Sequence, residues 1–245
     1  KLLRLMSYIN CSTGDRALGF VGDPTDQLWL ALFADADFAG DKADSKSTGG
    51  GFLVLMGPNT YYPLGGLSKK HGCTSHSTVE AEIVSLNTAL RSMGIPSLDL
   101  WEQILGRPVL LVVYEDNQAT ARIVTTGKYT AMRHVKRTHG VQLSLLTDLL
   151  KRKVYVLRDC HTKAMAADIF TKFFTDKLKW LHAIRLIGIC KPKEVETLLA
   201  GGSIVQAEGK PACCAVVGTN PKAGVLAAAP VNHHPQGRNI EQRSY

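Results

Sequence analysis

Apolar residues in the first part of the chain form short runs that are separated by glycine-rich or charged segments. The first run begins with "LWLALF", which has two aromatic residues and no polar interruption, and it predicts a strand at residues 28–34 that is buried on both faces. A second strand is predicted at residues 51–56, after "KSTGGG". A hairpin turn and a short third strand are predicted within residues 57–70. Three successive strands with short connections indicate an antiparallel meander.

The spacing of apolar residues changes to a helical period after the third strand. Residues 78–93 are predicted to form a helix, with Ser77 or Thr78 as its N-cap. The order of the elements predicts an α/β fold, with a mixed five-stranded sheet (the antiparallel meander of three strands plus two further strands) flanked by helices. The later elements are a short helix at 97–105, a strand at 108–116 that runs into a helix, a helix at 138–153, a strand at 153–159 and a helix at 164–174.

The two ends of the chain differ from this central pattern. Residues 1–10 and 177–188 have apolar residues at helical spacing. From about residue 192 glycine, alanine, proline and valine dominate, which predicts that residues 200–245 are mostly disordered. We therefore expect a connecting segment at 1–27, a core domain at 28–175, a flanking helix at 176–190 and a largely disordered C-terminal extension at 191–245.

The charge of the chain favours a polyanionic partner. Its 245 residues include 29 Lys and Arg against 21 Asp and Glu, a net charge of +8. Such a charge is typical of nucleic-acid-binding proteins, although many basic proteins bind no nucleic acid. The six cysteines form no CxxC pair, so neither a zinc site nor a disulfide framework is expected. Thiols that stay reduced are typical of an intracellular protein. No run of 18 apolar residues occurs, so no membrane role is expected.

Four of the predicted elements bring carboxylates that could meet at one place. Converging carboxylates repel one another unless cations lie between them. Mg²⁺ prefers oxygen ligands, and two such ions about 4 Å apart can activate a water and stabilise the leaving oxygen of a phosphodiester. The candidates are Asp35 after the first strand, Glu80 and Glu82 on the first helix of the core, Glu115 and Asp116 at the end of the fourth strand, and Asp168 on the last helix of the core.

Helix and strand geometry distinguish only some of these acids. Glu82 lies about 60° from the centre of the apolar stripe of its helix and Glu80 about 100°, so Glu82 is expected to border the core and Glu80 to face solvent. Glu115 and Asp116 are expected to point to opposite faces of the sheet, because side chains alternate along a strand. Alternation does not say which face holds the site.

Five blocks of sequence, taken together and in order, resemble a known family. They are "FADADFAGD…KSTGG", "SKK", "HSTVEAEIVSLNTAL", "YEDNQATARI" and "AADIFTK". In this order they resemble the ribonuclease H domain at the end of copia-type retrotransposon polyproteins. The resemblance covers about residues 1–175, and residues 1–27 resemble the connecting segment that follows the reverse-transcriptase region. The order Asp, Glu, Asp, Asp speaks against an integrase, whose acids run Asp, Asp, Glu.

The resemblance implies an activity, a cofactor and partners. It implies a metal-dependent endonuclease that hydrolyses the RNA strand of RNA–DNA hybrids during retrotransposon reverse transcription. The catalytic, metal-binding acids would be Asp35, Glu82, Asp116 and Asp168, holding two Mg²⁺ ions, or Mn²⁺ in their place. The partners would be the hybrid and the reverse-transcriptase region of the same polyprotein. This chain departs from the family at Glu115, where a small or polar residue is common, and an extra acid there is expected to alter metal affinity.

A further set of residues could contact the substrate. Lys69, Lys70 and Arg133 could contact phosphates, or could be solvated surface charges. Ser77, Thr78 and Asn117 could hydrogen-bond 2′-hydroxyls or phosphates, although Ser77 or Thr78 could equally be only a helix cap. His161, in the loop before the last carboxylate, could shuttle a proton during product release, or could be an exposed loop residue.

Two non-enzymatic functions stay open at this point. One is a decayed, catalytically inactive domain that binds hybrid or duplex without cutting it. The other is a structural tether for a polymerase, since the chain has no YxDD polymerase signature. Cleavage of a hybrid in Mg²⁺ separates the enzyme from both, and binding in EDTA separates the two alternatives.

Overall fold

The computed structural model describes residues 2–40, 45–128 and 140–199, which build a five-stranded sheet with packed segments on both faces. The strands of this part are β1 (Arg16–Ala17), β2 (Trp29–Asp37), β3 (Thr48–Gly57), β4 (Thr60–Lys70), β5 (Leu111–Glu115), β6 (Val156–Asp159) and β7 (Ile189–Cys190). Its α-helices are α1 (Leu2–Cys11), α2 (Thr78–Ala89), α3 (Ile95–Leu105), α4 (Gln118–Thr126), α5 (Gly140–Lys151), α6 (Lys177–Leu186) and α7 (Pro192–Leu199). Shorter segments are 3₁₀ turns at Thr25–Gln27, Thr162–Ala164 and Ala166–Phe170 and a π-helical turn at Leu90–Gly94.

The main sheet has the strand order β4–β3–β2–β5–β6. β2, β3 and β4 pair antiparallel, whereas β2 pairs with β5, and β5 with β6, in parallel. The predicted α/β fold, a meander joined to two further strands in one mixed sheet, is therefore confirmed. Because β2, β5 and β6 are parallel, their carboxyl ends lie at the same edge of the sheet.

The two faces of the sheet bury separate cores. One face packs against α2, α4 and α5 through residues such as Leu32, Ile83 and Leu146. The other buries Phe33 and Tyr114, which stack with ring centroids 4.8 Å apart, against the 3₁₀ segment Ala166–Phe170 and the end of α6. Alternate residues of the apolar strands β2 and β5 serve the two cores, which explains why these strands have no polar interruption.

The third strand, the first helix of the core and the helix that follows it differ from their predicted bounds. The third strand is long rather than short, since β4 covers 11 residues. The predicted helix at 78–93 ends as an α-helix at Ala89, and a π-helical turn connects it directly to α3, which begins at Ile95 with Pro96 in its first turn. Proline is tolerated there because its missing N–H would have no partner within the helix.

The prediction of a final helix at 164–174 is wrong, since the chain forms short 3₁₀ turns there. The backbone N–H of Lys172 donates to the Asp168 carbonyl at 2.8 Å and ends the turn. This segment lies close against the sheet, where a Cβ atom at Gly50 would be only 2.7 Å from the Thr171 methyl carbon. A Cβ atom at Gly66 would clash with the Phe170 ring. Glycine at these positions therefore lets the turn approach β3 and β4.

The flanking segments contact each other. β1 pairs antiparallel with β7, and the Lys191 ammonium lies 2.6 Å from Asp15 Oδ2. The predicted boundaries of the four parts stay predictions. Pro192–Leu199 form a helix, whereas the disorder predicted for residues 200–245 lies outside the described residues. Within the described ranges, no helix combines the length and the apolar character that a membrane span requires.

Candidate metal centre

The parallel register of β2 and β5 brings two carboxylates together at the edge of the sheet. Phe33 is aligned with Tyr114, and the same alignment continued by two residues sets Asp35 beside Asp116. Asp168 reaches the same point from the 3₁₀ segment on one face of the sheet. One carboxylate oxygen of each of these three aspartates lies within 4.8 Å of the other two.

A second carboxylate group shares Asp116 with the first. Glu82 of α2 and Glu115, the last residue of β5, each bring an oxygen to within 4.8 Å of the other and of Asp116. Val113 belongs to the core beneath α2 and Tyr114 to the opposite core, so alternation directs Glu115 toward α2. The acids therefore surround the edge of the sheet from both faces, and Asp116 lies where the two groups meet.

The centre is buried on one side and accessible on the other. Asp35, Glu82 and Glu115 are 2%, 6% and 0% exposed, whereas Asp116 and Asp168 are partly exposed. The Ser85 hydroxyl donates to the Asp35 backbone carbonyl at 2.6 Å and fixes the end of β2 against α2. A ligand could therefore approach the carboxylates from the side of Asp116 and Asp168.

Thr171 and Lys172 contact the carboxylate group that is formed by Asp35, Asp116 and Asp168. The Thr171 hydroxyl donates a hydrogen bond to Asp35 Oδ2. The Lys172 ammonium lies 2.6 Å from Asp168 Oδ1 and 3.3 Å from Asp35 Oδ1. This positive charge offsets part of the repulsion between Asp35 and Asp168. It forms no described ion pair with the other carboxylate group, that of Glu82, Glu115 and Asp116.

Burial and mutual repulsion raise the pKa values of Glu82, Glu115, Asp116 and Asp168. Burial, followed by the nearby charges of Glu115 and Asp35, raises the pKa of Glu82 to about 10. Burial also raises the pKa of Glu115 well above its usual range, although a hydrogen bond from the Asn117 N–H opposes this. Asp168 has a pKa raised to about 6, mainly by burial. The protein alone therefore disfavours full ionisation of this cluster.

The donor atoms of the cluster fit a hard divalent cation. All five acids offer carboxylate oxygens, the ligands that Mg²⁺ and Mn²⁺ prefer. Glu82 Oε2 and Glu115 Oε2 are buried and have no hydrogen-bond partner among the described residues. Buried carboxylate oxygens without partners are costly, and a bound cation would satisfy them.

The predicted substrate-contacting residues lie at the ends of nearby elements. Ser77 caps α2 and accepts from the Glu80 N–H at 3.2 Å, and Thr78 is the exposed first residue of that helix. Asn117 caps α4 and accepts from two N–H groups at 3.1 Å. Ser77 is therefore the N-cap of α2, as one of the two interpretations predicted. Its role in substrate contact stays a prediction.

Three of the basic and histidine candidates, Lys69, Lys70 and His161, are exposed. Lys69 and Lys70 are at the end of β4, and the sheet register aligns Lys69 with Gly49. His161 lies in the loop after β6, where its Nδ1 accepts from the Lys163 N–H at 3.1 Å. Arg133 is outside the described residues.

One prediction about the acids is wrong, and one pair of residues was missed. Glu80 is fully buried rather than exposed. Its Oε2 accepts from the His76 N–H at 2.7 Å, and this hydrogen bond holds the loop before α2 over the side chain. Thr171 and Lys172 were not predicted as site residues. The signal in the sequence was their spacing, since the lysine follows Asp168 by four residues and can reach back to it.

Comparison with known proteins supports the resemblance. No family model matches the chain. It is 31% identical over 155 residues to the Retrovirus-related Pol polyprotein from transposon RE1 of Arabidopsis thaliana, which covers 60% of this chain. The predicted resemblance to retrotransposon polyproteins is confirmed. The chain spans about 10% of the length of this polyprotein.

Solved ribonuclease H structures also share similarity with the chain. LC11-RNase H1, isolated from compost, has a TM-score of 0.41 at 16% identity and covers 58% of this chain and 92% of its own. The N-terminal RNase H domain of Rv2228c from Mycobacterium tuberculosis has a TM-score of 0.38 at 14% identity and covers 59% and 91%. The described residues themselves show an α/β fold with a mixed five-stranded sheet flanked by helices.

Proposed function

We propose that this chain is a metal-dependent endonuclease that hydrolyses the RNA strand of RNA–DNA hybrids during retrotransposon reverse transcription. The observation that carries the proposal is the meeting of the carboxylates of β2, β5, α2 and the 3₁₀ segment at one edge of the sheet. The similarity to a Pol polyprotein supports the biological setting. LC11-RNase H1 has also been solved in complex with an RNA/DNA hybrid, which is consistent with this substrate.

Asp35, Glu82, Asp116 and Asp168 would hold the cations, with Mg²⁺ as the proposed metal and Mn²⁺ as its substitute. Two such ions, when bound, supply activation of a water and stabilisation of the leaving oxygen of a phosphodiester. The protein fixes the position of Asp35, because its carboxylate accepts from the Thr171 hydroxyl and its backbone carbonyl accepts from the Ser85 hydroxyl.

The hybrid would lie across the carboxyl edge of the sheet. The exposed ammonium groups of Lys69 and Lys70 would contact phosphates, as would Arg133. α2 begins four residues before Glu82 and α4 begins two residues after Asp116, so both N-termini lie near the acids and favour anions. Ser77, Thr78 and Asn117, at these two N-termini, would donate to the backbone of the hybrid. His161 would give or take a proton as the product leaves.

The proposal includes a partner on the same polyprotein. α1 has no buried residue, and its apolar side chains Leu2, Leu3 and Met6 are more than half exposed. An adjoining reverse-transcriptase region would cover this surface and act with the nuclease inside the cell.

The deciding experiment is cleavage of a hybrid with labelled RNA in Mg²⁺ and in EDTA. Wild-type protein should cut the RNA strand in Mg²⁺ only, and Asp116→Asn should abolish the cut because it weakens both carboxylate groups. Asp159→Asn is the matched control, since Asp159 ends the adjacent strand and is aligned with Glu115 but is exposed. A folded wild-type protein that cuts nothing would contradict the proposal. A gel shift in EDTA would then separate a decayed binding domain, which retards the hybrid, from a structural tether, which does not.

A further inference from the structure

Glu115 has an environment that no structural role in the described residues explains. Its side chain is fully buried at the end of β5. Oε1 accepts from the Asn117 N–H at 3.2 Å, whereas Oε2 has no hydrogen-bond partner in the described part of the chain. A buried carboxylate oxygen without a partner has lost its hydration without compensation, so native proteins rarely keep one without a function.

Glu80 shows what a structural buried glutamate looks like in the same protein. It is equally buried, but its Oε2 accepts from the His76 N–H at 2.7 Å and stabilises the loop before α2. Glu115 makes no such bond with Oε2. Its carboxylate instead lies within 4.8 Å of oxygens of Glu82 and Asp116, and Glu82 Oε2 is likewise buried without a partner.

We propose that Glu115 is a fifth carboxylate ligand of the metal centre, and that it completes a cation subsite with Glu82 and Asp116 on the α2 side of the sheet edge. This inference rests on the proposed metal-dependent function and adds a residue to its ligand set. Lys172 pairs with Asp35 and Asp168 on the other side of Asp116, so the Glu115 subsite has three acids and no ammonium bound to them among the described ion pairs. It should therefore bind a divalent cation before any nucleic acid arrives.

The test is a calorimetric titration of the protein with Mn²⁺ at one pH and without nucleic acid. Glu115→Gln should weaken Mn²⁺ binding about tenfold or more, because an amide oxygen is a poorer ligand for a hard cation. Glu82→Gln should weaken binding similarly, since it removes another ligand of the same subsite. Glu80→Gln is the matched control, as it neutralises an equally buried glutamate outside the carboxylate groups, and it should leave the Mn²⁺ affinity unchanged.

A second variant protects the test against misfolding. Glu115→Asp keeps the charge but shortens the side chain, and its affinity should lie between those of wild-type protein and Glu115→Gln. Circular dichroism and a melting temperature in EDTA verify that each variant is folded. If folded Glu115→Gln or Glu115→Asp binds Mn²⁺ as tightly as wild-type protein, Glu115 is a structural residue and the inference is overturned.

The experiment distinguishes this inference from the proposed function. If wild-type protein cleaves the hybrid and Glu115→Gln binds Mn²⁺ normally, the ligand role of Glu115 is refuted and the nuclease function stands. If wild-type protein binds Mn²⁺ and loses affinity with Glu115→Gln but never cleaves a hybrid, the metal subsite stands and the nuclease function fails. If wild-type protein binds no Mn²⁺, the fifth ligand is refuted whatever the cleavage assay shows.

Discussion

Asp35 and Asp116 come from the ends of two adjacent parallel strands, and their carboxylates approach within 4.8 Å of each other. Two anions so close together in a partly buried site repel strongly, which the Lys172 ammonium only partly offsets. A chain with a net charge of +8 thus concentrates carboxylates at one edge of its sheet. The predictions below follow from that concentration of negative charge.

Loss of the Lys172 ammonium should destabilise the protein and strengthen its response to metal. Lys172→Met removes the charge between Asp35 and Asp168, so in EDTA we expect a lower melting temperature than wild-type protein. Added Mg²⁺ should then raise the melting temperature by more than it does in wild-type protein, because the cation replaces the lost charge. Lys179→Met, on the exposed side of α6, is the control, and equal responses of the two variants to Mg²⁺ would argue against this role of Lys172.

The stability of the metal-free protein should fall as the pH rises. The pKa of Glu82 is raised to about 10 in the folded protein, against an ordinary value near 4.5 when the chain is unfolded. Between these values the folded state binds a proton that the unfolded state has lost. The contribution of Glu82 to stability is therefore greatest below about pH 4.5 and declines toward pH 10, by at most about 1.4 kcal/mol per pH unit for one proton.

Glu82→Gln should flatten this pH dependence, because the amide does not titrate. Urea unfolding in EDTA at a series of pH values between 5 and 9 measures this pH dependence. Some slope should remain in the variant, because the pKa of the neighbouring Glu115 is also raised. A variant with the same slope as wild-type protein would show that Glu82 is ionised in the folded state.

Binding of the hybrid should depend strongly on salt. Each phosphate contact by Lys69 or Lys70 releases counterions, so affinity should decrease steeply between low and physiological salt. The double variant Lys69→Glu, Lys70→Glu should flatten that dependence, as measured by fluorescence anisotropy in EDTA. Lys151→Glu, Lys153→Glu is the control pair, since these exposed lysines precede β6 at the opposite end of the strand from the site. A salt-independent affinity would assign the basic surface to another partner.

The sequence predicted the strands and the mixed sheet better than it predicted which acids are buried. The uninterrupted apolar runs of β2 and β5 correctly indicated strands covered on both faces. The prediction that Glu80 faces solvent was wrong, because a helical wheel assumes one buried stripe. The helix α2 is instead surrounded by the sheet, by neighbouring helices and by the loop that precedes it. Only tertiary structure reveals that loop.

Alternation along β5 left open which face of the sheet holds the site. Glu115 lies with Glu82 of α2, whereas Asp116 belongs to both carboxylate groups. The structure gathers acids at the edge of the sheet rather than on one face, so both residues reach it. The 3₁₀ turns around Asp168 were also hidden, because "AMAADIFTKFF" has good helical propensity and only its close packing on Gly50 favours the tighter turn.

The most direct measurement compares hybrid cleavage by wild-type protein, Asp35→Asn and Asp37→Asn in Mg²⁺. Asp37 ends the same strand, two residues later, but belongs to neither carboxylate group in the described part of the chain. Asp35→Asn should reduce cleavage by several orders of magnitude while hybrid binding survives or strengthens, because repulsion of the phosphates decreases. Asp37→Asn should cost far less. Equal losses for the two variants would contradict the residue assignment, and full activity of Asp35→Asn would contradict the metal-dependent mechanism itself.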